Sequence, residues 1–376
     1  MCCILAREFN RRGYELVFVY GRPSVLGKPS AGCEGKGNFQ LPSQGRKKED
    51  AQFFLNIVRS QSVDVVLDVS VHSQYHDMAY AVQKERDYIL ISTYHGDPYA
   101  VVKELRDKYD YLSIFEQGLS RLFKQAFFLL KYPLSRMLRK VALEQRFRKM
   151  TAESDCLVLL CEPYARQVRK MVGRSLAEKV SAVKNPCDTG GVMPMSFESK
   201  KNQVLFVGRM VFQKRVDRML RIWSKIESRF ADWELVLIGE GEDKNLFQTY
   251  AETLRLKRAR FVGAQRSTEY MAGAKLLAQC STHEGFGMVL LEGMHYGTVP
   301  VLFNSFLAAE EIVNDGVNGY LVKPFNERCF ANRLAKLMGD EALLASLQRY
   351  AIDSTSRFDV QTIVDDWEEL FQKKEQ

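Results

Sequence analysis

The sequence predicts an α/β protein built from two successive doubly wound domains, and three observations carry that reading. Apolar runs of strand length alternate throughout with helical patterns of about 10 to 16 residues, as parallel α/β layers require. The alternation pauses at Asn185-Pro186-Cys187-Asp188-Thr189-Gly190-Gly191, a turn-rich cluster read as the interdomain linker. The 376 residues, 46% hydrophobic and 27% charged, are enough for two cores of roughly 150 to 200 residues each. The expected domains are therefore residues 1–186 and 187–357.

Taken in order, residues 2–13 (CCILAREFNRRG) form a helix that stops at Gly13, ahead of a strand at 15–20 (ELVFVY). The strand that should precede this helix is missing, together with the glycine-rich turn at its carboxyl end. Either the fold is incomplete or Met1 is a late start, and a family-like helix beginning at residue 2 favours the late start. Further strands are expected at 63–67, 88–93, 111–115 and 156–160, with helices between them. A second series follows the linker at 203–207, 234–238, 259–262, 275–278 and 299–303. Two such domains predict a cleft at the carboxyl edges of their sheets, where ligands bind in folds of this kind.

Charge is unevenly spread. The chain carries a net +8, and residues 119–150 alone supply it, with nine basic side chains (Arg121, Lys124, Lys131, Arg136, Arg139, Lys140, Arg146, Arg148, Lys149) against Glu144. Leu122, Phe123, Phe127, Phe128, Leu129 and Leu130 interleave with them. Such a stretch suits an anionic membrane surface. A solvated helix pair with an ordinary core face explains it equally well, and nucleic acid is the weaker alternative. The longest uncharged run, 293–309, is interrupted by Gly297, Pro300 and Asn304 and does not read as a membrane span. A secretory signal is also missing from the start of the sequence. The eight cysteines include no CxxC pair and no Cys/His cluster at zinc spacing, which fits buried thiols in a reducing compartment.

Chemistry-bearing residues concentrate in the second half. Gly208 ends a strand and lets the backbone turn, after which Arg209 offers a planar fork and Lys214 a point charge, a pairing suited to a diphosphate. Basic residues after a strand are more often simply solvated. Gly239 and Gly241 allow close backbone approach or a plain tight turn. The loop lacks a third glycine and carries Glu240, Glu242 and Asp243, which rules out a dinucleotide site. The strongest constellation is His283 to Glu292 (HEGFGMVLLE), where a strand and a loop with two glycines feed a helix starting near Gly287. Free amides and the positive helix end there can hold phosphates. Glu284 precedes the helix, and Glu292 sits inside it, where its carboxylate can accept from paired ribose hydroxyls. Taken singly, each carboxylate reads more simply as a surface or capping charge.

These residues resemble the Glu-x7-Glu motif of retaining glycosyltransferases of family 4, the glycosyl transferases group 1 with the GT-B fold. The likeness extends over 207–214 (VGRMVFQK), 238–243 (IGEGED), 261–265 (FVGAQ), 284–301, 310–322 and the linker at 185–188. It implies two Rossmann-like domains facing a central cleft, here with the first strand of the N-terminal domain missing. It further implies that Arg209 and Lys214 bind the donor diphosphate and Glu284 the transferred sugar. Gly287, Met288 and Val289 would bind the phosphates through their backbone amides, Gly285 and Phe286 would belong to the same donor site, and Glu292 would hold the ribose. His95, at the end of the run 91–97 (ISTYHGD), matches a cleft histidine of many members and would sit beside the reacting centre as a catalytic group, whereas His72, His76 and His295 have no such support. The resemblance also implies a C-terminal helix, 358–376, that crosses back onto the first domain.

The implied reaction displaces a nucleoside diphosphate from the anomeric carbon with retention. Arg209, Lys214 and the helix start would stabilise the leaving group, and no Asp-x-Asp pair is present to hold a metal. No cofactor is expected beyond the nucleotide sugar itself. The expected partners are a lipid-linked or saccharide acceptor and, through 119–150, the cytoplasmic face of a membrane, with a role in surface polysaccharide synthesis. A donor-binding scaffold without activity, or a sugar epimerase or phosphorylase of the same fold, remain as alternatives.

Overall fold

A computed structural model describes residues 2–20, 35–42, 48–69, 74–104, 107, 111, 119–187 and 194–375, with the side chains of 119–131 left aside. The chain forms two compact units, one of Met1–Pro98, Val141–Asp188 and Phe358–Gln376, the other of Tyr99–Lys140 and Thr189–Arg357.

The first unit holds a parallel pair, β1 (Val17–Tyr20) and β2 (Gly37–Gln40), and a parallel four-stranded sheet. The sheet runs β3 (Val65–Asp68), β4 (Ile89–Tyr94), β5 (Cys156–Leu159), β6 (Val180–Ala182). No strand among the described residues links β1 to β3. The two strands nevertheless share their packing. Val19 and Val66 lie against one apolar cluster with Phe54, Leu55 and Leu90, and Leu16, Val65 and Leu67 lie against another with Leu5, Phe9 and Ile91. Apolar strands buried on both faces should be fully covered. The β1 residues are instead half-buried throughout, as are Val65, Val66 and Leu67. Helix Val360–Glu375 closes this unit over helix Cys2–Arg11. Phe371 stacks on Phe9 at 5.8 Å, and Arg12 reaches Asp365 and Glu368 at 2.5 and 2.7 Å.

The second unit carries a six-stranded all-parallel sheet in the order β12-β11-β10-β7-β8-β9. Its strands are β7 (Lys201–Val207), β8 (Glu234–Ile238), β9 (Ala259–Gly263), β10 (Ala274–Gln279), β11 (Val299–Phe303) and β12 (Tyr320–Val322). Chain order reverses between β7 and β10, and both are central. Every residue of β10 is buried, as expected of a central strand covered on both faces. Helix Val216–Ser224 turns Met219, Leu220, Ile222 and Trp223 inward, each contributing about 1.5–3 kcal/mol of burial. Asn326 and Asp340 cap the helices Glu327–Met338 and Glu341–Asp353 by accepting from Cys329 N and Leu343 N.

Several expectations are corrected. Residues 99–140 cluster with the second unit, because Tyr111 is buried in that unit's core beside Phe212 and Phe247. The expected strand at 111–115 is absent at Tyr111, which is helical, and its remainder lies outside the described residues, as do His72 and linker residues 188–191. Cys156, Cys161 and Cys280 are free and buried, whereas Cys3 is in a disulfide, so the expectation of thiols throughout fails at the N-terminus.

Candidate active site

In an open parallel sheet the crevice beyond the carboxyl ends lies where strand order reverses, here between β7 and β10. The loops leaving these two strands carry the residues singled out in the second half. After β7 comes Gly208, then Arg209, exposed and without an ion pair among the described residues, then the 3-10 turn Phe212–Lys214. After β10 come His283 and Glu284. Lys214 Nζ lies 2.5 Å from Glu284 Oε1, which also accepts from Gln279 Nε2 at 2.8 Å. The loops are laced together by Thr282 N donating to Gln213 O (2.9 Å) and Gln213 Nε2 to His283 O (3.0 Å).

Helix Met288–His295 starts directly after this contact. Gly287 stands at its N-cap with φ 103°, a left-handed conformation that favours glycine. No side chain caps the amides, and no acid occupies the first turn. Met288 and Val289 are half-exposed there, while Phe286 is buried and anchors the loop. With Gly285 beside Glu284, the backbone of 285–289 forms an anion-ready edge. Glu292 is half-buried, and burial holds its carboxyl above the usual range.

Gly239 and Gly241 serve a different purpose from ligand approach. A Cβ at Gly239 would fall 1.9 Å from Gly208 O, and one at Gly241 2.3 Å from Met210 O. The loop after β8 thus lies directly on the loop after β7, fixed by Met210 N donating to Glu240 O at 2.8 Å.

In the first unit, His95 follows β4 at its carboxyl end, half-buried. Thr93 Oγ1 donates to Asp68 O at 3.2 Å, so His95 Nε2–H donates to Thr93 at 2.9 Å. Burial pushes the imidazole below its ordinary value, which keeps it neutral near pH 7. Sequence reasoning missed His76. It is buried, with Nδ1 3.3 Å from Asp68 and Nε2 3.2 Å from Glu153, and it contacts Ser92, which in turn meets Ser154. Burial opposes its protonation, but Asp68 and Glu153 outweigh that and raise its pKa. Its partners come from well-separated segments, so no local pattern could have announced the cluster. His295 packs edge-on against Tyr296.

Residues 195–354 match the family described as glycosyl transferases group 1, so the chain carries a glycosyl transferases group 1 domain. It is 30% identical over 220 residues to an exopolysaccharide phosphotransferase of Streptomyces coelicolor, covering 58% of this chain and 23% of that one. It is 24% identical over 206 residues to the GalNAc-alpha-(1->4)-GalNAc-alpha-(1->3)-diNAcBac-PP-undecaprenol alpha-1,4-N-acetyl-D-galactosaminyltransferase of Campylobacter jejuni, covering 54% of this chain and 56% of that one. The chain thus spans between about a quarter and just over half of these relatives. Among solved structures, Anabaena HepE in complex with UDP and glucose superposes with a TM-score of 0.73 at 16% identity, over 99% of this chain and 95% of that one. The fold is that of GT-B glycosyltransferases, with two Rossmann-like units.

Proposed function

We propose that this protein is a retaining glycosyltransferase of family 4 that moves a hexose from a nucleotide-diphosphate sugar to an acceptor hydroxyl. The observation that carries the reading is the meeting of Lys214 and Glu284 at the reversal point of the second sheet, beside an uncapped helix start. In the reaction the anomeric C–O bond to the diphosphate breaks and a bond to the acceptor oxygen forms. Arg209, Lys214 and the amides of Gly287, Met288 and Val289 stabilise the departing diphosphate, so no metal or further cofactor is called for. Glu284 addresses the sugar hydroxyls and Glu292 the ribose. The neutral imidazole of His95 hydrogen-bonds the reacting sugar.

The acceptor is proposed to be a lipid-linked saccharide of surface polysaccharide synthesis, in line with the undecaprenol-linked and exopolysaccharide substrates named for the relatives. Helix Leu119–Glu153 exposes Leu134, Met137, Leu138 and Val141 at spacings of one helical face, with exposed Arg136, Arg139 and Lys140 around them. That combination suits peripheral binding to the anionic cytoplasmic face of a membrane. No helix among the described residues is long and apolar enough to cross one. One second reading is a donor-binding chain without transfer, since the Lys214–Glu284 contact and the uncapped helix start account by themselves for donor binding alone.

Incubation with a panel of nucleotide sugars tests the proposal. One donor should raise the Tm by mass action, and addition of undecaprenyl-linked saccharides should release its nucleoside diphosphate. Stabilisation without turnover supports the second reading, and no stabilisation by any donor overturns both.

A further inference from the structure

We propose that Tyr111, which the sequence places in the first half of the chain, is a positioning residue for donor binding by the second unit, holding the turn that presents Lys214. The proposal rests on the donor site described above. Tyr111 is 3% exposed, its ring centroid 6.1 Å from that of Phe212 and 6.2 Å from that of Phe247. Phe212 opens the 3-10 turn that Lys214 closes, so the ring backs the turn from the side of the core.

Arg215, the next residue, adopts φ 52° and ψ 48°, a left-handed conformation normally left to glycine. It is nonetheless an arginine, 1% exposed, that pairs with both oxygens of buried Asp217 at 2.9 Å. Its guanidinium lies 5.9 Å from the centre of the Tyr111 ring. The backbone on the far side of Lys214 is therefore fixed by side chains that Tyr111 touches.

The hydroxyl reaches the other end of the same loop. It lies close enough to the Asp243 carboxylate for the two groups to act on each other electrostatically, and Asp243 N donates to Met210 O at 3.0 Å. Two further contacts of the same segment touch the neighbouring loops. Glu104 Oε1 lies 3.3 Å from Nε2 of His283, the residue before Glu284, and Lys103 Nζ donates to Ser305 O at 3.3 Å. Lys103, Glu104 and Tyr111 thus meet the loops that follow β7, β8, β10 and β11, although none of the three side chains belongs to the donor-binding set.

The test compares Tyr111→Leu, which removes the ring and hydroxyl but keeps apolar volume, with Tyr111→Phe, which removes the hydroxyl alone. Dissociation constants for uridine, adenosine and guanosine diphosphate are measured by calorimetry, with Tm and steady-state kinetics alongside. Y111L should weaken the preferred diphosphate about tenfold or more and raise the donor KM in parallel, with kcat within about threefold. Y111F should stay within about threefold of the wild type, since the ring is kept. A Y111L protein that melts earlier yet binds the diphosphate as tightly as the wild type shows a merely structural role and overturns the proposal. If Y111L does not fold, Phe212→Leu, which removes the ring that Tyr111 backs, takes its place, and unchanged affinity there overturns the proposal likewise. A wild type that binds none of the three diphosphates defeats the donor reading itself, whereas tight wild-type binding with unaltered variants defeats this inference alone.

Discussion

Lys214 Nζ sits 2.5 Å from Glu284 Oε1, joining two loops that are 70 residues apart in sequence at the point where the strand order of the second sheet reverses. Both side chains are largely shielded, at 15% and 11% exposure. Each is therefore the other's counter-charge until a ligand arrives. A diphosphate would draw Lys214 toward itself and release the Glu284 carboxylate to a sugar hydroxyl. Lys214→Met should lower kcat/KM by about 10²- to 10³-fold, the usual loss on removing one stabilising group from a leaving oxyanion. Steady-state kinetics with the preferred donor checks this, and a variant within threefold of the wild type would remove Lys214 from the diphosphate site.

Glu292 carries a pH-dependent prediction. Its carboxyl is raised by burial, so donor binding through the charged form should weaken as pH falls from neutral through that raised value. The sign for stability is opposite. Between the unfolded and the raised folded value the native state binds more protons, so folding stability falls as pH rises through that window. Glu292→Gln should flatten both profiles and weaken donor binding about tenfold, from the loss of a charge-assisted hydrogen bond. Calorimetry with the donor at several pH values reads both effects, and an unchanged affinity would refute the ribose role.

How much of this was legible depends on where the information resides. The loops at 208–214 and 283–292 could be read because glycines, cations and carboxylates fall at fixed local spacing around a strand end. Strand β2, with the sequence GNFQ, could not, since its residues alternate between half-buried and exposed and present no apolar run. β6 and β12 are only three residues long. Tyr111, followed by apolar residues, resembles the start of a strand, yet its backbone is helical and its ring is held by long-range contacts. Gly239 and Gly241 were visible as glycines, but what they accommodate, the carbonyls of Gly208 and Met210, lies about thirty residues earlier.

Those two glycines give a third prediction. Gly239→Ala and Gly241→Ala place a methyl group at 1.9 and 2.3 Å from backbone oxygens that cannot swing aside as a side-chain tip would. Each should destabilise the second unit by about 1–3 kcal/mol and weaken donor binding by displacing the Arg209–Lys214 loop. Gly273→Ala, where the added carbon meets nothing within 4 Å, is the matched control. Denaturant unfolding separates them, and equal midpoints for all three would show that the loops are not packed as described.

The His76 cluster predicts the pH response of the first unit. With the folded pKa raised by Asp68 and Glu153 against the pull of burial, its stabilising effect is complete below the unfolded value of about 6.5. It is lost as pH rises through the folded value. Stability should therefore decline as pH rises from the unfolded value through the folded one, and His76→Asn should lower the Tm at pH 6 more than at pH 9. A constant difference across that range would mean that the imidazole does not titrate with folding.

Peripheral membrane binding makes the last prediction. The exposed residues Leu134, Met137 and Leu138 would enter the headgroup region, while Arg136, Arg139 and Lys140 meet anionic lipid. Arg139 also donates to Val101 O at 3.1 Å. Each cation near such a surface is worth about 1 kcal/mol, and replacing all three by alanine should weaken binding to anionic vesicles by about 10²-fold. Leu138→Glu should have a similar effect through the apolar face. Flotation with phosphatidylserine-containing vesicles at low salt should carry the wild type upward, and added salt should release it. Pure phosphatidylcholine vesicles should leave it at the bottom of the gradient. If the triple variant floats as the wild type does, the helix is an ordinary solvated element and the acceptor must be reached from solution.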